Sequence, residues 1–229
     1  MQTSVRRVYN TTMATRPITE EIAEQKKRGV LIILTGPTAA GKDTVMKKLL
    51  EKRPTLIRMV TTNSRPMREG EVEGTDYHFV SREDFEKLIA DDAFVEWVEY
   101  LGHYKGGQKK HLEEALASGK DVVWRIDVRG VKNIRSRVEE MVEDPDSPVQ
   151  AAVFIFLAPP ELETLEKRMR TRGAENEKVW IEGLNLAKWE LAQYDDCDYL
   201  VLNEDGKLDD AVTAVEAIIE ATRRIILAS

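Results

Sequence analysis

Short apolar runs alternate with amphipathic stretches along most of the chain. Continuous apolar runs predict buried strands over 30–34, 121–127, 151–157 and 199–203. Apolar positions at helical spacing, together with start and stop signals, predict helices over 42–52, 81–89, 109–118, 128–142, 161–171, 178–194 and 208–227. Because strands that alternate with helices build mostly parallel sheets with helices on both faces, the pattern predicts an α/β fold.

The stretch between the first helix and residue 109 has shorter predicted elements. Residues 55–62 are extended and 63–79 are rich in Pro, Gly and polar residues, which is typical of a loop. Residues 94–100 alternate between apolar and polar side chains like a strand, and the glycines in 102–107 predict a turn.

A glycine-rich segment follows the first predicted strand directly. It reads Gly36-Pro37-Thr38-Ala39-Ala40-Gly41-Lys42. The spacing G-x-x-x-x-G-K is that of a phosphate-binding P-loop, in which backbone N–H groups and the next helix N-terminus face phosphate oxygens. Lys42 then reaches the β- and γ-phosphates of a nucleotide. A plain glycine turn between a strand and a helix is the alternative, and the strict strand–loop–helix order favours the nucleotide site.

Three oxygen-bearing side chains are candidates for holding Mg²⁺. The residue after a P-loop lysine is usually Ser or Thr, and here it is Asp43, whose carboxylate is also a hard oxygen ligand. Thr44 supplies a neighbouring hydroxyl. Asp127 ends the predicted strand 121–127, where a carboxylate can order Mg²⁺ or its waters, although many strands end in Asp.

Composition restricts the classes of function. The chain has 229 residues and a formal net charge of -7, which disfavours general nucleic-acid binding. Its apolar runs are far shorter than the ~20 residues needed to cross a bilayer. One cysteine, Cys197, excludes an internal disulfide and fits a reducing compartment, so we expect a cytoplasmic protein. Residues 1–19 contain no acid, which is typical of either an organellar transit peptide or a floppy extension.

Several segments resemble the guanylate kinase family, in the same order along the chain, from about Val30 to the C-terminus. The similarity is strongest over 65–89. It continues in Phe94–Trp97, Gly119–Val123, Ile126–Gly130, Ala158–Pro160, Arg168 with Arg172–Gly173, and Val201–Asn203.

The resemblance implies a P-loop kinase core with a small inserted monophosphate-binding lobe and a short lid. The implied boundaries are an N-terminal extension, partly flexible, at 1–28 and a kinase-like domain at 29–229. Within that domain the core covers 29–57 and 109–229, the lobe 58–108 and the lid about 168–183. The implied reaction is transfer of the γ-phosphoryl of ATP to GMP, with ATP and Mg²⁺ as cofactors. Nucleotides are the expected partners of a monomer or weak homodimer, without nucleic acid or membrane.

The resemblance also implies a role for each matching residue. Lys42, Arg168 and Arg172 would neutralise the transferring phosphoryl group, and Asp127 would hold the hydration shell of Mg²⁺. The ATP site would combine the P-loop with Asp43, Thr44 and Asn203. The acceptor site would consist of Thr61 near the base, Glu96 on the guanine edge, and Arg65, Arg68, Tyr77 and Lys105 on the phosphate. From the residues alone, a solvated surface is the usual interpretation of an arginine pair such as Arg65 and Arg68.

Five positions depart from the family pattern, and all fall at functional places. Lys105 replaces a phosphate-binding Tyr, Gly107 a guanine-binding Ser, Arg125 an acid, Asp43 the P-loop Ser, and Gly183 a lid arginine. These departures leave open a related P-loop kinase with a different phosphorylated acceptor. A non-catalytic guanylate-kinase-like binding module is a further alternative, which Lys42 disfavours because such modules tend to lose that lysine.

Overall fold

The computed structural model describes residues 29–100, 102–144, 147–171 and 177–226. The first elements in chain order are β1 (Gly29–Thr35), α1 (Lys42–Lys52), β2 (Leu56–Arg58), β3 (Thr62–Asn63), β4 (His78–Phe79), α2 (Arg82–Ala90), β5 (Phe94–Tyr100) and β6 (His103–Gln108). They are followed by α3 (Lys109–Ala117), β7 (Asp121–Arg125), α4 (Val131–Glu143), β8 (Val149–Ala158), α5 (Leu162–Thr171), α6 (Glu177–Leu191), β9 (Tyr199–Leu202) and α7 (Leu208–Ile226). Short 3-10 turns lie at Val128–Gly130 and Tyr194–Asp196. The expected extension 1–28 lies outside the described residues.

A five-stranded parallel sheet, in the order β2-β7-β1-β8-β9, forms the core. Its central strand β1 is buried along its whole length. Ile32 packs in one cluster with side chains of α1 and α7, and Ile33 packs in another with side chains of α3 and α4. A strand covered on both faces needs apolar residues at every position, which is why it appears in the sequence as a continuous run. The predicted α/β fold class is confirmed.

A second, four-stranded sheet in the order β4-β3-β6-β5 lies between β2 and α3 in the chain. Helix α2 packs on it through Phe85, whose ring stacks on Phe94 at 4.3 Å between centroids. The hydroxyl group of Ser81 accepts a hydrogen bond from the Asp84 N–H and so caps this helix, as its sequence pattern predicts.

The predicted turn over 102–107 was wrong, because His103–Gln108 forms strand β6 and pairs with β5 in antiparallel register. Glycines are typical of turns, but Gly106 and Gly107 lie in a strand, where they allow close packing. A Cβ atom on Gly106 would lie 2.7 Å from the backbone oxygen of Glu96. In a strand, such a glycine marks close approach of a neighbour.

Among the described residues, no helix has both the length and the apolar character that crossing a membrane requires.

Candidate active site

The P-loop lies at the carboxyl end of β1, where α/β sheets bind ligands. Its two glycines are required by geometry, because Gly36 and Gly41 have φ angles of +136° and +93°. A Cβ atom on Gly36 would lie 2.1 Å from the Leu157 oxygen, and one on Gly41 would lie 2.3 Å from Nδ2 of Asn203. Helix α1 begins directly after Gly41, so its N-terminus faces the cavity beside the loop.

Lys42 folds back over the loop. Its Nζ donates hydrogen bonds to the oxygens of Gly36 at 2.6 Å and Pro37 at 2.8 Å. Burial lowers the pKa of Lys42 to about 8; the cation of Arg125 acts in the same direction, and Glu190, the largest of the opposing charges, acts against both. A buried ammonium bound only by neutral oxygens is well suited to gain an anionic ligand.

A cavity of about 660 Å³ joins the P-loop to the second sheet. This volume is within the usual range for small-molecule sites. The charged side chains that line it come from three parts of the fold: Lys42, Asp43, Arg125, Asp127 and Arg129 from the core, Arg65, Arg68, Glu99 and Lys105 from the second sheet and its loop, and Glu190 from α6. The structure therefore brings the predicted P-loop and the predicted phosphate-binding arginines to one space.

Arg65 is held in place by a carboxylate. Its guanidinium donates to both oxygens of Glu71, and the Arg68 N–H donates to the same carboxylate at 2.8 Å. These bonds, those from Arg65 first, lower the pKa of Glu71 to about 2. The guanidinium also lies over the Tyr77 ring, 5.2 Å from its centroid. This geometry, two parallel N–H donors on a planar anion, is also the one by which arginine binds phosphate.

Of the predicted acceptor residues, Lys105 lines the cavity, whereas Glu96 and Tyr77 lie outside its lining. The Lys105 Nζ lies 5.2 Å from the Tyr77 ring centroid, and burial lowers its pKa to about 8. Burial also raises the pKa of Glu96 to about 7, with the charge of Asp127 adding to the effect and that of Lys105 opposing it. Glu96 lies beside Gly130, which lines the cavity, since a Cβ atom there would be 3.0 Å from its Oε1.

The carboxylates predicted to hold a metal both line the cavity, and each is paired with an arginine. Oδ1 of Asp43 lies 3.2 Å from Nε of Arg125, and Asp127 accepts from Nε of Arg129 at 3.0 Å. Thr44 is exposed and lies outside the cavity wall. No group of three or more metal-ligating side chains occurs in the described ranges. The donor set fits Mg²⁺ even so, because this ion is commonly held by one or two carboxylates, waters and substrate phosphates.

Arg168 and Asn203 lie beside the P-loop without lining the cavity. Nε of Arg168 donates to Asp205 at 2.9 Å, and its Nη2 donates to the Asn203 oxygen at 2.7 Å. Nδ2 of Asn203 donates to the Ala40 oxygen at 2.8 Å and so braces the loop from behind. The predicted catalytic Arg172 lies outside the described residues.

The remaining acceptor residue, Thr61, is buried at 6% exposure, and its backbone oxygen accepts the His78 N–H. It does not line the cavity.

Glu190 is a cavity residue that sequence reasoning missed. Its side chain is nearly enclosed, with 3% of the residue exposed, and its Oε2 accepts the Thr38 N–H of the P-loop at 2.8 Å. Burial raises its pKa. A signal was present: Glu190 follows the buried residues Leu184 and Ala187 at intervals of three on one helix, which places a carboxylate on an apolar face.

Gly107 has no room for the serine found in the resembled family. A Cβ atom there would lie 2.2 Å from the indole ring of Trp124. Trp124 is buried, with 2% of the residue exposed, so its ring has little room to move away. The indole ring of Trp124 therefore closes this position to any side chain.

We expect Gly107→Ser to lower the free energy of unfolding by about 1–3 kcal/mol, because it overpacks a rigid ring. Urea unfolding of the variant measures this. Gly183→Ala is the matched control, since the nearest atom to its new Cβ is the flexible end of Met169. An unchanged stability for Gly107→Ser would show that Trp124 is not held as the structure has it.

The chain is similar to known proteins in both sequence and fold. A family model described as guanylate kinase matches residues 28–222. The guanylate kinase of Carboxydothermus hydrogenoformans is 36% identical over 196 residues, which is 86% of this chain and 90% of that protein. The guanylate kinase of Caldanaerobacter subterraneus subsp. tengcongensis is 37% identical over 198 residues, with the same coverage of 86% and 90%. The crystal structure of guanylate kinase from Anaplasma phagocytophilum has a TM-score of 0.63 at 26% identity, covering 86% of this chain and 87% of that chain. The chain therefore belongs to the guanylate kinase family.

Proposed function

We propose that this protein transfers the γ-phosphoryl group of ATP to GMP, giving ADP and GDP. The observation that carries the proposal is the single cavity that the P-loop lysine shares with Arg65, Arg68 and Lys105. A kinase for a phosphorylated acceptor needs a donor-phosphate site and an acceptor-phosphate site facing one space. Family membership supports guanine as the base.

On the donor side, the P-loop N–H groups bind the β- and γ-phosphates of ATP. Lys42 exchanges its two carbonyl partners for phosphate oxygens and neutralises the charge that develops on the transferred group. Positioning and electrostatic stabilisation supply most of the catalysis in phosphoryl transfer. Glu190 fixes the loop by accepting the Thr38 N–H, so that the cradle is formed before the nucleotide arrives.

On the acceptor side, Arg65, Arg68, Tyr77 and Lys105 bind the phosphate of the monophosphate. Arg65 is already oriented by Glu71 and by the Tyr77 ring, so little side-chain freedom is lost on binding. In its ionised form, Glu96 accepts hydrogen bonds from the N1–H and 2-amino groups of guanine, and Thr61 lies near the base.

ATP and Mg²⁺ are the proposed cofactors. Asp127 and Asp43, with Thr44 next to it, would hold Mg²⁺ through its waters. When bound, the ion would neutralise part of the negative charge on the phosphates of ATP.

The lobe and the lid are part of the same proposal. Residues 58–108 form the acceptor-binding lobe, and about 168–183 form the lid that brings Arg168 and Arg172 to the phosphates. For Arg168 this movement would mean leaving the backbone oxygen of Asn203 and also Asp205, an exposed and therefore weak partner. A cytoplasmic location and a monomer or weak homodimer stay predictions.

We expect kcat/KM for GMP to peak between about pH 7 and 8. It rises through pH 7 because Glu96, with a raised pKa of about 7, must lose its proton to accept from guanine. It falls above pH 8 because Lys105 and Lys42, each with a pKa that burial lowers to about 8, lose their charges. The charges facing Glu96 and Lys105 are Asp127 on the side of Glu96, and Arg125, Arg58 and Asp43 on the side of Lys105.

The control for this profile is Glu96→Gln. The phosphate of GMP has its own ionisation near pH 6, and so contributes a separate acid limb. The variant keeps the limb near pH 6 and loses the one near pH 7. An acid limb at pH 7 that persists in Glu96→Gln would contradict the assignment.

The proposed function is tested by ATP consumption with Mg²⁺ against GMP, dGMP, AMP, UMP, CMP and ribose 5-phosphate. We expect turnover with GMP and dGMP. Turnover confined to another acceptor would show that the departures at positions 105, 107 and 125 have changed the substrate. No turnover with any acceptor, despite ATP binding, would favour a binding module.

A further inference from the structure

Two of the positions that depart from the family pattern are joined in the structure. Nε of Arg125 lies 3.2 Å from Oδ1 of Asp43, and its Nη1 donates to Oδ2 at 3.5 Å. The side chains are 35% and 67% exposed, respectively. An ion pair this open to water is weak. A phosphate group, with more charge and more acceptor oxygens, can therefore displace Asp43 from the guanidinium.

Arg125 lies between the two halves of the cavity. It is the last residue of β7 and pairs in parallel register with Leu34 of β1, which lies two residues before Gly36 of the P-loop. It lines the cavity with Lys42 on the donor side and Lys105 on the acceptor side. After burial, its positive charge is one of the causes that lower the pKa of both lysines.

We propose that Arg125 binds the phosphoryl group in transfer, and that Asp43 holds its guanidinium in position until both nucleotides are bound. This inference rests on the proposed kinase function and adds a residue to it. The guanidinium is supplied by a strand of the core, so it needs no lid movement to reach the phosphates. Arg125 thus supplies a cation to the transferred group in a chain whose proposed lid has glycine at position 183, where the family pattern has an arginine.

The chemical step is balanced without any further reactant. An oxygen of the acceptor phosphate forms the new bond to the γ-phosphorus, while the bond from that phosphorus to the β-phosphate oxygen breaks. The electron pair leaves with ADP. Arg125 remains protonated throughout and donates N–H bonds to the oxygens of the transferred group, where charge is greatest during transfer.

The test is the kinetics of Arg125→Ala with ATP, Mg²⁺ and GMP. We expect kcat to fall about a hundredfold to a thousandfold, as for loss of one donor to a transition state, while KM for GMP and the Kd for ATP change by less than about fivefold. Arg125→Lys recovers part of kcat, and added guanidinium at millimolar concentration raises the rate of Arg125→Ala. A purely structural role would give no rescue by free guanidinium.

Lys48→Ala is the matched control. Lys48 pairs with Asp209 at 2.8 Å, with side-chain exposures of 35% and 70%, so it removes an ion pair of the same openness away from the cavity. We expect its kcat to stay within about twofold of the unchanged protein.

Asp43→Ser tests the positioning part of the inference. It leaves Arg125 without its carboxylate but keeps an oxygen ligand for Mg²⁺ in the serine hydroxyl, and we expect kcat to fall by about three- to tenfold. The double variant Asp43→Ser with Arg125→Ala is then about as active as Arg125→Ala alone, since residues that act through one interaction are not additive. Independent, multiplying effects would overturn the role of Asp43.

Two other results have distinct meanings. If the unchanged protein phosphorylates GMP and Arg125→Ala keeps its kcat, or only raises KM, the proposal for Arg125 is overturned and the kinase function stands. If the unchanged protein phosphorylates no monophosphate, the kinase function is overturned, and the proposal for Arg125 with it.

Discussion

Lys42→Ala lowers kcat for ATP and GMP by about a thousandfold or more. The ammonium is the P-loop cation nearest the transferred group, and loss of a transition-state cation in phosphoryl transfer has effects of about this size. A thousandfold corresponds to about 4 kcal/mol of transition-state stabilisation. The fold is expected to tolerate the change, because burial already disfavours the charged form of this lysine. Steady-state kinetics and urea unfolding measure the two effects.

Lys47→Ala is the control for this variant. Lys47 is an exposed residue of the same helix and has the same side chain, but it does not line the cavity. Its kcat should equal that of the unchanged protein. Normal activity in a folded Lys42→Ala variant would mean that the P-loop does not hold the reacting phosphate.

Glu96→Gln lowers kcat/KM for GMP by about a hundredfold. The ionised carboxylate accepts from two donors on guanine, whereas the amide presents one acceptor and one donor, so one N–H of the base faces another N–H. Hydrogen bonds to a charged group contribute about 1.5–3 kcal/mol, and an unpaired buried donor costs a similar amount. Initial rates over a range of GMP concentrations give the value.

The specificity of this loss is measured with AMP as second acceptor. Adenine has no N1–H and no 2-amino group, so its low rate should change little in Glu96→Gln. Glu86→Gln, at an exposed position of α2, is the control for loss of a carboxylate in the same lobe. An equal loss for GMP and AMP would show that Glu96 supports the lobe and does not read the base.

The P-loop could be predicted from sequence because its information is local. Its signal residues, Gly36, Gly41 and Lys42, all lie within the seven residues 36–42. The positive φ angles of the two glycines follow from the backbone path that the loop must take. The buried strands were equally clear, since β1 is covered on both faces and requires apolar residues throughout. These features depend on neighbours in the chain.

Contacts between distant parts of the chain could not be predicted in this way. Asp43 and Arg125 are separated by 82 positions, and Thr38 and Glu190 by 152. Each residue alone is typical of a surface or a helix. The sequence around Gly107 predicts a turn, whereas Gly107 lies in strand β6. The ring of Trp124 that excludes a side chain there comes from the other sheet, which the local sequence does not show.

The most direct test of the proposed phosphoryl transfer follows a label from ATP. ATP labelled at the γ-phosphate is incubated with GMP, Mg²⁺ and the protein, in parallel with Lys42→Ala, and the products are separated. We expect label in the β-phosphate of GDP, formed by the unchanged protein and about a thousandfold more slowly by the variant. Label released as inorganic phosphate, or label in GDP at equal rates from both proteins, would contradict it.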